Sequence, residues 1–149
     1  MNPRRLFQSM VLVAVALAVA LAALAGSAHA KEALVINLTQ NETSRAAMAV
    51  FLAETMMTEK DLHTAIFLNV DGVRLADKNL PGNKYVDGQT VQEKLQSFMK
   101  AGGKVYVCPM CMKNVGGMEE ADLIAGAEVA TVEALYDALY EYDTRVLSY

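Results

Sequence analysis

From residue 31 onward, short apolar runs alternate with segments whose apolar residues recur at helical spacing. Ala33 to Leu38, interrupted only by Asn37, predicts a first strand. The polar stretch Thr39 to Thr43 turns into a helix predicted over Ser44 to Thr58, with Ala47, Val50, Phe51, Ala53 and Met57 on its apolar positions. Thr64 to Val70 predicts a second strand that stops at Asp71-Gly72. Val73 to Lys78 reads as a short helical turn, and Asn79 to Asn83 has the composition of a loop. Thr90-x-x-Glu93 is a capping box that opens a helix to about Lys100, where Gly102-Gly103 stops it. Lys104 to Val107 predicts a third strand running straight into Cys108. After Gly116-Gly117 come a short acidic helix, Glu119 to Ala125, and a weak fourth strand, Ala127 to Ala130. Thr131 then caps a helix over Val132 to Tyr142, and Arg145 to Ser148 is a fifth strand candidate.

Strands alternating with helices predict an α/β fold with a mainly parallel sheet. Strands one to three read as near-continuous apolar runs, as expected where helices cover both faces. In such sheets ligands bind beyond the carboxyl ends of the strands, near a switch in strand order. Asn37 and Thr39 follow strand one, Asn69 and Asp71 strand two, and Cys108 and Cys111 strand three. These groups are expected on one rim, and that convergence marks the candidate site.

The first thirty residues change the picture. Arg4 and Arg5 precede an apolar stretch from Met10 to Ala25, followed by Gly26-Ser27 and Ala28-His29-Ala30. This is the layout of a cleavable signal peptide, residues 1–30, preferred over an uncleaved anchor because the stretch is short and an Ala-x-Ala site follows at once. The pair of arginines fits an ordinary secretory signal better than a twin-arginine one. Residues 31–149 then form one exported, periplasmic-type domain. The cut takes two of the 13 basic residues and none of the 17 acidic ones, leaving a net charge of −6. An acidic domain without a basic run is unsuited to nucleic acid, and no segment after residue 30 is long and apolar enough to span a membrane.

Cys108 and Cys111 are the only cysteines. A bond between them closes almost no loop, so the pair is no structural staple. Cys108, at a strand end with Pro109 positioned to open a helical turn, is the expected nucleophile. Backbone N–H groups of that turn, with Lys113 nearby, favour its thiolate, and Cys111 reaches back across one turn. The spacing suits a disulfide, a persulfide with a resolving thiol, or two ligands of a soft metal. Zinc lacks the rest of a four-ligand set. Copper(I) stays open because Met110, Met112 and Met118 crowd the pair, although methionines also fill core gaps, as expected for Met48, Met56, Met57 and Met99. No glycine pattern predicts a nucleotide site, and no cofactor is expected. Asp71-Gly72 also fits an ordinary turn, and Tyr136, Tyr140 and Tyr142 fit packing or subunit contact.

Three segments, Phe67-Leu68-Asn69-Val70-Asp71-Gly72-Val73, Val107-Cys108-Pro109-Met110-Cys111-Met112 and Asp143-Thr144-Arg145-Val146-Leu147-Ser148-Tyr149, together resemble the DsrE/DsrF-like family. The resemblance implies a three-layer α/β/α fold with a parallel five-stranded sheet of DsrE-like, flavodoxin-like topology. It also implies homo- or hetero-oligomers, commonly trimers or hexamers, and sulfur trafficking between donor and acceptor proteins or small persulfides. Cys108 matches the carrier cysteine, while Cys111 is an addition found in some relatives. An exported chain departs from the cytoplasmic relays, and a second cysteine adds redox behaviour. Sulfur carriage on Cys108, as carrier or sulfurtransferase, is therefore the leading expectation, ahead of copper(I) binding and thiol–disulfide exchange.

Overall fold

The computed structural model describes residues 32–149; the signal segment expected at residues 1–30 lies outside them. The described elements are β1 (Glu32–Leu38), α1 (Thr43–Lys60), β2 (His63–Leu68), a 3-10 helix (Val70–Ala76), α2 (Val91–Lys100), β3 (Lys104–Val107), a helical turn (Pro109–Cys111), a π-helical turn (Met112–Gly116), a 3-10 turn (Glu120–Asp122), β4 (Glu128–Val129), α3 (Val132–Tyr140) and β5 (Asp143–Ser148).

All strand pairs are parallel, in the order β4-β3-β2-β1-β5. As in flavodoxin-like sheets, β1 lies second from an edge; here the strand outside it is the fifth rather than the second. The sheet therefore advances from β1 to β4 and then jumps back to β5. With right-handed crossovers, α1 and α2 fall on one face and α3, on the return, covers the other. The main core fills the first face. Leu34, Ile36, Leu38, Ile66, Leu68, Val105 and Val107 of the sheet meet Ala46, Ala49, Val50 and Ala53 of α1, and Val91, Leu95 and Phe98 of α2. On the second face Ala33, Val35 and Ala65 are buried as well.

Helix limits follow local chemistry. The Glu42 carboxylate accepts from the Ser44 and Arg45 amides at 2.9 and 2.8 Å, so α1 begins one residue before the expected Ser44. In α2 the capping box forms as read: Thr90 Oγ1 accepts from Glu93 N at 3.2 Å, and the Glu93 carboxylate accepts from Thr90 N at 2.7 Å. Thr90→Ala is expected to lower stability by about 1 kcal/mol, as one lost cap does, and urea unfolding monitored by circular dichroism measures it.

Four expectations are corrected. Strand two ends at Leu68, not Val70, because Val70 takes a left-handed backbone (φ 49°) that no strand accommodates. The acidic helix over Glu119–Ala125 contracts to Glu120–Asp122: Asp122 accepts from Glu119 N at 2.9 Å, and the chain then extends so that Leu123 and Ile124 enter the core. The last helix stops at Tyr140 rather than Tyr142. Finally, Met48 and Phe51 are 47% and 60% exposed, because α1 turns its alanines and Val50 toward the sheet.

Candidate functional site

At the end of β3 the ladder gains one more bond as Cys108 N–H donates to Leu68 O at 2.9 Å. Cys108 then leaves the sheet in an extended conformation (φ −60°, ψ 117°) and caps the turn Pro109–Cys111. Pro109 takes the first position, where its missing N–H costs nothing. The cap contact is made by sulfur: Cys111 N–H donates to Cys108 Sγ at 3.4 Å. A single backbone donor thus faces the Cys108 sulfur, fewer than the turn's sequence led one to expect.

The turn widens at once. Residues Met112–Gly116 form a π-helical turn, a rare conformation frequent at functional sites. Gly117 closes it in the left-handed region (φ 66°), and Met118 N–H reaches back to Met112 O at 3.0 Å. The widening swings Met112 and Met118 into the core, where they are 3% and 2% exposed, and leaves Met110 at 71%. Arg74 of the 3-10 helix pins this turn from outside by donating to Val115 O at 2.5 Å. Sequence reading missed both the π turn and this arginine, because neither leaves a periodic signal.

Burial pushes the Cys111 thiol above its usual pKa, its hydrogen bond to Cys108 pushes further, and the Val70 amide opposes both. Cys111 therefore stays protonated more readily than a free cysteine and donates toward Cys108. No cationic side chain contributes to this balance.

The other expected site residues divide into two groups. Asn69 donates through its side chain to Asn37 Oδ1, and Asn37 in turn donates to Ser148 Oγ at 3.2 Å. These amides form a polar row along the carboxyl rim from β5 across β1 to the end of β2. Thr39 belongs to the β5 side of it, since its hydroxyl donates to Tyr149 O at 2.8 Å. Asp71 is exposed and pairs with Arg74 at 3.7 Å. Lys113 is exposed on the π turn. The strand-order switch falls between β1 and β5, at Asn37 and Thr39, whereas the cysteines lie two strands away at β3. Val70, read as the last strand residue, instead lies beyond the end of β2 with a left-handed backbone.

Among the described residues no group of three or more His, Cys, Asp or Glu side chains converges. For copper(I), two of the three nearby thioethers belong to buried methionines of the core cluster. No helix among the described residues is long and apolar enough to cross a membrane.

Compared with known protein families, the chain matches the DsrE/DsrF-like family over residues 15–148. Among solved structures it is similar to the ychN protein from E. coli, at 24% identity and a TM-score of 0.62, covering 80% of this chain and 99% of that one. It is also similar to a protein of unknown function from Methanobacterium thermoautotrophicum, at 12% identity and a TM-score of 0.62, covering 78% of this chain and 99% of that one. These likenesses establish the fold. Curated proteins gave no match.

Proposed function

Because the chain belongs to the DsrE/DsrF-like family, which supports a sulfur-relay-like role at family level, we propose that it carries sulfane sulfur as a persulfide on Cys108. The observation that carries the reading is the asymmetric pair at the end of β3. One sulfur accepts from a backbone N–H, and burial pushes the pKa of the neighbouring thiol up.

In the first step the Cys108 thiolate attacks the outer sulfur of a donor persulfide. The Cys108–sulfur bond forms, the donor's S–S bond breaks, and the donor leaves as a thiolate. The bound sulfur then has two exits. An acceptor thiolate can take it by the same displacement. Alternatively the Cys111 thiolate attacks the inner sulfur, forming the Cys108–Cys111 disulfide and expelling hydrosulfide; an external dithiol reductant then resets the pair. Asn37 and Asn69, whose amides line the rim, are proposed to border the approach, with Thr39, Asp71 and Lys113 at its margins. We place this activity outside the cytoplasm on the strength of the signal-like N-terminus, with protein or small-molecule persulfides as partners and a homo-oligomer as the working form.

After incubation with a small-molecule persulfide, mass spectrometry is expected to show an adduct of about 32 Da, one sulfur, on the unaltered chain. Cys108→Ser should take up none. Equal uptake by Cys108→Ser sinks the reading. Export is checked separately: N-terminal sequencing of protein from the periplasmic fraction should begin at Lys31.

A further inference from the structure

β5 is the outermost strand on its side of the sheet, and among the described residues no strand pairs with its outer edge. Tyr149 N–H donates to Asn37 O at 3.0 Å, and Tyr149 O accepts from Thr39 N at 2.9 Å. In a parallel ladder such residues recur at every second position, so Leu147, Arg145 and Asp143 also face β1. Thr144, Val146 and Ser148 therefore direct their N–H and C=O groups outward. Open edges are usually blunted by proline, a bulge or unpaired charge. β5 contains no proline, and its register against β1 is unbroken from Asp143 to Ser148. Its two charges pair with each other, Arg145 to Asp143 at 2.6 Å.

α3 extends the same edge. It lies on β5 itself, where the Thr144 hydroxyl donates to Ala138 O at 3.1 Å. Ala134, Leu135, Ala138 and Leu139 are partly buried against the sheet. The helix runs back against the strands on a right-handed crossover. Helical spacing then turns Val132, Tyr136 and Tyr140 toward the outer side of β5, and Glu133 and Asp137 the other way. That outer flank is apolar and bare: Val132 is 81% exposed, Tyr136 63% and Tyr140 69%, with the two rings 5.1 Å apart. Val146, exposed and paired in register with Val35, continues the flank on the same face of the sheet.

We propose that this edge is a homodimer contact in which β5 pairs antiparallel with β5 of a second copy across a two-fold axis. A second copy fits because the surface complements itself. With Val146 opposite its own counterpart and Thr144 opposite Ser148, every outward N–H and C=O of the three residues finds a partner. No like charges meet, because Arg145 comes opposite Leu147 and the acidic flank of α3 points away. For a net acidic domain this neutral edge is where two copies approach without repulsion. The same axis brings the apolar flanks of the two α3 helices together over Val146. Two five-stranded sheets become one, with the Cys108 sites on rims that point opposite ways, seven strand spacings or about 34 Å apart. The contact gives the homo-oligomer of the functional reading its surface, and it stands without the sulfur chemistry.

Sedimentation velocity of the protein from the periplasmic fraction, at micromolar concentration, should give twice the chain mass. Val146→Pro removes one outward N–H and spares every bond to β1, at the kind of position where an edge strand accepts proline. Tyr136→Glu places a charge on the α3 flank. Each is expected to raise the dissociation constant at least about a hundredfold, with an unchanged circular dichroism spectrum. Phe51→Glu, on an exposed aromatic of α1 across the sheet, should leave the dimer intact. A monomeric unaltered chain, or an oligomer that survives both Val146→Pro and Tyr136→Glu, overturns the proposal. Amide-resolved hydrogen exchange reads the pairing directly: the Thr144, Val146 and Ser148 amides should be protected in the dimer and open in Tyr136→Glu. Fast exchange of all three in the unaltered chain likewise overturns it. Sulfur uptake by the two monomeric variants should match that of the unaltered chain. A dimer of this kind that takes up no sulfur sinks the persulfide reading and leaves the contact standing.

Discussion

Gly72→Ala is expected to lower stability by about 3 kcal/mol, the upper end of what an overpacked methyl costs. The added Cβ would meet the Leu38 carbonyl oxygen, which is backbone at the end of a central strand and cannot rotate aside. Relief requires the 3-10 helix to lift from β1, breaking the bond from Gly72 N to Thr39 O and loosening Val73 and Ala76, both fully buried. A useful contrast is Gly88→Ala. Its Cβ meets nothing within 4 Å, so only the left-handed backbone (φ 84°) is penalised, at about 1 kcal/mol. Urea unfolding should therefore separate the two by midpoint at an unchanged slope. Equal midpoints would mean that Gly72 has no special closeness to β1.

Cys111→Ser should slow release of hydrosulfide from the Cys108 persulfide by on the order of a thousandfold or more. A serine hydroxyl is no nucleophile at neutral pH, and what is lost is an intramolecular attack whose advantage over free thiol is large. The 32 Da adduct of about one sulfur should then persist on Cys108 rather than decay to the disulfide. In the unaltered chain the rate has a defined pH dependence. Burial and the bond to Cys108 raise the Cys111 pKa, so its thiolate is the minor form at neutral pH. Release should consequently climb about tenfold per pH unit until that pKa is passed. Stopped sulfide assays from pH 6 upward read both effects. Rapid, pH-independent release from Cys111→Ser would assign the sulfur a different exit.

Those two substitutions touch segments that the sequence revealed very unevenly. The strands of the main core were legible because each is a short apolar run with turn residues at its end, and α2 because Thr90 and Glu93 spell out its cap. The rim followed from fold class alone: strand ends carry Asn37, Asn69 and Cys108, and a parallel sheet brings them to one side. What pattern could not supply was anything imposed by a distant contact. Val70 reads as a strand residue by composition, and only the anchoring of Asn69 and Gly72 on β1 turns its backbone over. The π turn is equally silent in sequence, since burying Met112 and Met118 together is a demand of the core. Leu123 and Ile124 lose their helix for the same reason. The exposed Met48 and Phe51 err the other way: Met48 was expected as a core filler and Phe51 on the apolar stripe, but the small alanines of α1 made the closer fit against the sheet.

The placement of β5 outside β1 has a further bearing on how the chain reaches its native form. Asn37 and Ser148, which meet across that pair, are separated by 111 positions, so the strand that flanks β1 on its outer side is the last described one to be synthesised. Until it arrives, β1 presents an open edge that invites pairing with another chain, and a contact of such sequence separation forms slowly. The cysteine rim, by contrast, draws on β2, β3 and the turn after them, all translated earlier.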